Sequence, residues 1–190
     1  MKSYKIVDMN LEEDKAQIAT WANEFANTPE YASIEHFILE DYLLTDLAEV
    51  IETNFEMYPI GKNEIKKALT AKTNQGEIIG FILCQAFDLQ TSMPEIFLQY
   101  VVISPKYQHQ GYGRSIFMEF FTHPRKYLKL SKDQKTPHYV FSFIDKDNDS
   151  SKALYKSFGF SFAEQKCSRF VRATGLMPEI EKAINQGAFE

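Results

Sequence analysis

Gln108-His109-Gln110-Gly111-Tyr112-Gly113-Arg114 is the stretch whose reading decides the fold. Before it runs an apolar segment, Glu95 to Ile103, closed by Ser104-Pro105. After it, helical periodicity runs from about Tyr112 through Ile116, Phe117, Phe120 and Phe121. Glycines in such a strand-to-helix loop let successive backbone N–H groups face one concavity, and the helix start adds positive potential. A loop of that kind holds a pyrophosphate without needing a charged side chain. A dinucleotide fingerprint would need a third glycine where Ile116 stands, and the Gly-Lys-Ser/Thr of a P-loop is absent. The NAD and ATP readings fall away.

Outward from this loop, the chain alternates short strands with helices. Tyr4 to Val7 reads as a first strand, and Leu11 to Phe25 as a helix with Ile18, Trp21, Ala22 and Phe25 at spacings of three and four. Thr28-Pro29 supplies an N-cap and a first-turn proline for a helical region reaching about Met57, with Leu44, Leu47, Ile51 and Phe55 as its stripe. Ala68 to Lys72, a turn at Thr73-Asn74-Gln75-Gly76, and Glu77 to Gln85 form a hairpin. Glu95 to Ile103 is nearly continuously apolar and is expected to be a central strand buried on both faces, with His138 to Ile144 a second. His123 to Pro137 reads as a polar, lysine-rich excursion. Ser151 to Phe158 is a short helix stopped by Gly159, short strands are expected near Phe160 to Glu164 and Ser168 to Val171, and Gly175 to Ala188 closes the chain as an amphipathic helix. This order gives an α+β fold with a mixed sheet.

A second cluster is Asn148-Asp149-Ser150-Ser151-Lys152-Ala153-Leu154-Tyr155-Lys156-Ser157-Phe158-Gly159-Phe160. On a helix, Ser151 and Tyr155 share a face, with Asn148 just before the start, while Leu154 and Phe158 share a neighbouring face suited to packing on a sheet. Core packing accounts for Leu154, Phe158, Gly159 and Phe160. It does not account for Asn148 and Tyr155 on one side.

Together these two motifs resemble the GNAT superfamily of N-acetyltransferases. The family's phosphate loop, Arg/Gln-x-x-Gly-x-Gly/Ala, is matched by Gln108, Gly111 and Gly113. Its later motif, Asn-x-x-Ala-x-x-Leu-Tyr-x-x-x-Gly-Phe, is matched by Asn148, Leu154, Tyr155, Gly159 and Phe160, with Ser151 in place of Ala. The resemblance spans about Ala68 to Phe160. It implies a single domain over 1–190: a mixed, mostly antiparallel sheet of six or seven strands flanked by helices, an acyl-CoA cleft between splayed central strands, an acceptor-side helical region at 26–60 and a closing helix at 175–188.

It also implies acetyl-CoA as co-substrate, transferring its acetyl group to a primary amine by direct attack in a ternary complex. The pyrophosphate would lie on Gln108, His109, Gln110, Gly111, Tyr112, Gly113 and Arg114, and the pantetheine along the backbone of Val101, Val102 and Ile103. Asn148 and Ser151 would border the cofactor, and the Val101 N–H would face the developing oxyanion. Tyr155 is the candidate general acid, because a phenol near pKa ~10 is matched to a thiol near ~8.5. The family's frequent glutamate base aligns with Phe97, so the pattern is not met there; Glu95, two residues back on the same face, is the weak substitute.

Composition agrees with an enzyme of this kind. At 190 residues, 44% apolar and 25% charged, the chain is long enough for a sizeable core and is not disordered. Its longest apolar stretch, Ile78 to Cys84, is far short of the ~20 residues of a membrane span, and its start lacks an apolar signal core, so a cytoplasmic protein is expected. Cys84 and Cys167 are read as two reduced thiols, and no His or Cys spacing suggests a metal site.

The net charge of −5 hides an asymmetry: Ala16 to Gly61 carries nine acids and no Lys or Arg, whereas Lys106 to Arg172 carries thirteen basic and six acidic residues. The basic half suits nucleotide phosphates, through Lys106, Arg114, Lys152 and Lys156, but its scattered lysines do not make a nucleic-acid surface. The acidic half, interleaved with aromatics, favours a small cationic acceptor such as a polyamine, an aminoglycoside, an amino sugar or a lysine-like or peptide amine. A non-catalytic acyl-CoA sensor and a protein N-terminal or lysine acetyltransferase are the alternatives. The C-terminal helix is read as core cover, with a homodimer contact as the alternative.

Overall fold

The computed structural model describes residues 3–26, 64–164 and 169–186. The helical region expected over 28–57 lies outside them. In chain order the described elements are β1 (Tyr4–Asp8), α1 (Leu11–Ala26), β2 (Ile65–Thr73), β3 (Ile78–Phe87), β4 (Glu95–Ile103), a single 3₁₀ turn (Pro105–Tyr107), α2 (Tyr112–Thr122), α3 (Pro124–Leu128), β5 (Tyr139–Asp145), α4 (Asp149–Ser157), β6 (Ser161–Glu164), β7 (Phe170–Leu176) and α5 (Met177–Asn185). The strands join one sheet in the order β1-β2-β3-β4-β5-β7-β6. Neighbours pair antiparallel except β4 with β5, which run parallel. The expected mixed α+β fold is what forms.

Apolar residues cover both faces of the sheet, and helices close over them. On one face Phe117, Phe120 and Phe121 of α2 meet Ile82, Leu98 and Phe158 in the larger core. Each such side chain contributes roughly 1.5–3 kcal/mol on full burial. The other face is covered at β3 by α1, where Trp21 stacks on Phe81 with ring centroids 6.1 Å apart and Ile18 is fully buried. Asp14 anchors that helix. It is 2% exposed and accepts hydrogen bonds from Lys72 Nζ at 2.5 Å and Thr70 Oγ1 at 3.2 Å, so its charge is paired where it is buried.

Four expectations change. β4 is not buried on both faces: Ile96 and Leu98 are buried, but Val101, Val102 and Ile103 are half-exposed. The cause is that β5 stays beside β4 for only three residue pairs, Glu95 to Phe97. β5 likewise buries Val140 and Ile144 but leaves Phe143 41% exposed. The polar excursion contains α3, whose Pro124, Tyr127 and Leu128 are buried; a five-residue helix is too short to show a period. The C-terminal helix begins at Met177, because Gly175 and Leu176 complete β7. Met177 and Ile180 are buried in the larger core and Ile184 packs against it, so α5 covers the core.

Two local devices set the geometry around the gap. Gly80 of β3 faces Ile103, and a Cβ built on it would lie 2.5 Å from the Val102 carbonyl oxygen and 2.8 Å from Ile103 Cδ1. Asn148 caps α4, its side-chain oxygen accepting from the Ser151 N–H at 2.9 Å, and Gly159 ends the helix region at φ +82° with Phe160 folded back against Tyr155.

Gly80→Ala forces β3 and β4 apart and is expected to lower stability by about 1–3 kcal/mol, read from denaturant unfolding. Asn148→Ala is expected to lower it by about 1 kcal/mol, with Asn148→Asp or Asn148→Ser recovering most of the loss. A full loss with all three replacements would show that the side chain does more than cap the helix.

Candidate active site

The site begins where two central strands part. The β4/β5 ladder ends at Phe97 opposite Phe141. One residue beyond, the Ser142 hydroxyl donates to the Leu98 carbonyl at 2.8 Å, and both residues are buried. No further β4–β5 pair is formed. Val101, Val102 and Ile103 keep their pairing to β3 on one side and flank the gap on the other. A parted edge of this kind presents main-chain groups to an extended ligand.

The loop sits at the open end of the gap. His109 (φ 55°) and Gly111 (φ 73°) both take the left-handed conformation, and Gly111 brings no side-chain cap to the start of α2. Left-handed turns leading into a helix start form an electropositive concavity. His109, Gln110, Gly111 and Arg114 are exposed, so this surface is open to solvent.

Gln108 and Gln110 turn inward on the loop's own backbone. Gln108 Nε2 donates to the Ile103 carbonyl at 2.9 Å and Gln110 Nε2 to the Lys106 carbonyl at 2.7 Å. That is a change for Ile103, whose carbonyl is taken by the loop. Tyr112 has a packing role: its ring lies 5.2 Å from Tyr107 and 6.2 Å from Tyr4, whose hydroxyl bonds Ser115.

The two sequence motifs meet here. A Cβ on Gly113 would stand 3.5 Å from Ile103 Cγ1 and 3.6 Å from Leu154 Cδ2, so loop, strand β4 and helix α4 touch at one residue. Next to Leu154, Tyr155 is 4% exposed, with Phe117 and Phe160 edge-on at 5.0 and 4.9 Å. Its hydroxyl is hydrogen-bonded to Ser142, which connects it to the point where the strands part. Burial holds this phenol well above its ordinary range, so it stays protonated but loses the near match to a thiol expected from its ordinary pKa and is the weaker acid for it.

Asn148 and Ser151 lie at the same helix start, tied to each other by the cap. Glu95 stands at the far end of β4. Six residues at about 3.3 Å each put it roughly 20 Å from Val101, beyond direct proton transfer. Of the basic residues, Lys106 pairs with Glu77 at 2.5 Å and Lys152 with Asp149 at 2.7 Å.

Sequence reading missed Ser142, although it is the one serine in an apolar strand and alternation places it with buried Val140 and Ile144. It also missed Asp145, 3% exposed, whose carboxylate takes the Asp147 N–H and the Arg169 guanidinium and so fixes the turn into α4. Its partner is 24 positions away and carries no local signal. Burial pushes the Cys84 thiol up to about 12, which makes it inert at neutral pH. Among the described residues no group of three His, Cys, Asp or Glu is placed to hold a metal ion, and no helix is long and apolar enough to cross a membrane.

This fold recurs in solved structures. The PaiA N-acetyltransferase of Thermoplasma acidophilum, in complex with coenzyme A, superposes with TM-score 0.62 at 18% identity, over 90% of this chain and 98% of that one. The spermidine N-acetyltransferase of Vibrio cholerae, in complex with CoA and spermine, gives 0.58 at 14% identity, over 94% and 98%. The ribosomal-protein-S18-alanine N-acetyltransferase of Escherichia coli gives 0.54 at 16% identity, over 90% of each. No curated protein sequence matches the chain. The model of the acetyltransferase (GNAT) family matches residues 31–160, more than half of the sequence and both motifs. The chain belongs to the acetyltransferase (GNAT) family, the acetyl-CoA-dependent N-acetyltransferases.

Proposed function

We propose that the protein acetylates the primary amine of a small molecule, using the β4/β5 gap for the acyl-CoA arm and Tyr155 as general acid. The observation that carries this reading is the meeting of Ile103, Gly113 and Leu154, which joins the parted strand, the loop and the tyrosine helix. Acetyl-CoA supplies the thioester. The left-handed loop and helix start at 108–114 suit its pyrophosphate, and the backbone of Val101 and Val102 suits its amide-bearing arm.

In the reaction the amine nitrogen bonds to the carbonyl carbon and the carbon–sulfur bond breaks. The Val101 N–H steadies the charge that builds on the carbonyl oxygen. The thiolate takes the Tyr155 proton, and the amine gives up its own proton to water, since Phe97 offers no base and Glu95 lies too far along the strand. The ammonium of the free acceptor is drawn by the acidic stretch between Ala16 and Gly61. That stretch supports a cationic acceptor, whether a small molecule or a protein amine. Fold neighbours include both kinds, one solved with spermine and one named for a ribosomal-protein alanine.

Acetyl-CoA and CoA are expected to raise the melting temperature, and an amine panel to show amine-dependent thiol release. Stabilisation without release on any amine would favour a sensor; no stabilisation at saturating CoA would overturn the loop reading. Tyr155→Phe should lower kcat by about 10²-fold or more while acetyl-CoA affinity changes little. Because burial raises the Tyr155 pKa, the acid form persists above pH 10 and wild-type kcat should show no loss below that pH from its ionisation. Wild-type kcat in the phenylalanine variant across pH would remove Tyr155 from the mechanism.

A further inference from the structure

On the sheet face opposite Tyr155 the gap is bordered by a patch of rings. Phe97 of β4 stacks on Phe141 of β5 with centroids 4.9 Å apart, and Phe143 stands edge-on to both, at 5.8 Å from Phe97 and 6.3 Å from Phe141. Alternation along β5 puts Phe141 and Phe143 on this face and Ser142, with its link to Tyr155, on the other. Phe143 is 41% exposed, so the patch is reachable.

Two polar atoms at this patch lack partners. Register passes from Leu83 opposite Tyr100 to Cys84 opposite Leu98, which makes Gln99 the extra residue of a bulge. Its Oε1 is buried with no hydrogen bond. Were the β4/β5 ladder continued, Gln99 would be level with Phe143, so the two stand on facing lips of the gap. Behind Phe143, its β7 partner is Arg172, whose guanidinium lies 4.8 Å over the Phe141 ring and whose Nε is buried without an acceptor.

Buried polar groups are nearly always hydrogen-bonded, and an orphan acceptor and an orphan cationic donor on one ring-lined face are two unmet demands of opposite kind. A polycation would meet the first and be repelled by the second. A molecule with an amine at one end and an anion at the other meets both. The stack on Phe141 holds the guanidinium plane, and an arginine so held is suited to a carboxylate along its edge.

We propose that this patch selects an acceptor carrying an anionic group besides its amine, of the amino-carboxylate class, with Gln99 Oε1 accepting from the amine and Arg172 binding the anion while its apolar part lies on the rings. The proposal rests on the acetyl-transfer reading and replaces its net-cationic acceptor with one that carries both charges.

The test compares pairs differing only in the carboxylate. Thiol release with L-phenylalanine should exceed that with phenethylamine at least tenfold in kcat/KM, and both should exceed spermidine. In Arg172→Gln the ratio should fall to about one. Phenethylamine or spermidine matching phenylalanine in the wild type, or a ratio that survives in Arg172→Gln, overturns the proposal.

Calorimetry on the wild-type protein with CoA reads the same preference without turnover and without a variant. N-acetyl-L-phenylalanine should bind at least tenfold tighter than N-acetylphenethylamine; equal binding, or none by either, overturns it. Failure of the parent reading is distinct: no thiol release with any amine, whatever these affinities.

Discussion

Everything at the site depends on β4 and β5 running parallel for three residue pairs and then parting. Parallel strands cannot be joined by a tight turn, so a crossover of helices must connect them. That crossover, α2 with α3, starts at the 108–114 loop, while α4 follows directly from β5. The helices enter and leave at the ends of the two strands that separate, so loop and tyrosine helix converge on one gap. The Ser142 hydroxyl on the Leu98 carbonyl marks the last bond before separation. Beyond it, the backbone of Val101 and Val102 keeps β3 on one side and, among the described residues, has no strand on the gap side.

The gap has two unlike sides. Toward α2 and α4 it is packed with Phe117, Phe158 and Phe160 around a buried phenol whose burial keeps it protonated. Toward the opposite face lie half-exposed rings and the two unpartnered polar atoms of Gln99 and Arg172. This asymmetry suits a displacement in which the nucleophile approaches from one face and the leaving sulfur is protonated from the other. It follows from strand alternation, because Phe141 and Phe143 bracket Ser142 in sequence and point away from it.

The site's rigidity has identifiable sources. Gly80 lets β3 pass against the Val102 carbonyl, Gln108 ties the loop to the end of β4, and the Asn148 cap and the Asp145–Arg169 pair fix the start of α4. Of the residues read as cofactor contacts, Gln108, Gln110 and Tyr112 are engaged in holding the loop's shape. What the loop presents outward is backbone and positive potential, which is what a pyrophosphate needs.

Local chemistry was legible in the residues themselves. Glycines at 111 and 113, the Asn148 cap, the Gly159 stop and the period of α2 depend on neighbours a few positions away, and so does the order of strands and helices. The tertiary structure decided what depends on partners distant in the chain. An apolar run such as Glu95 to Ile103 looks alike whether a neighbour strand stays or leaves, so its exposed half could not be read. A five-residue helix carries no period, which hid α3. Ser142, Asp145 and Arg172 owe their places to Leu98, Arg169 and Phe141, and a contact between residues tens of positions apart leaves no pattern in either segment alone.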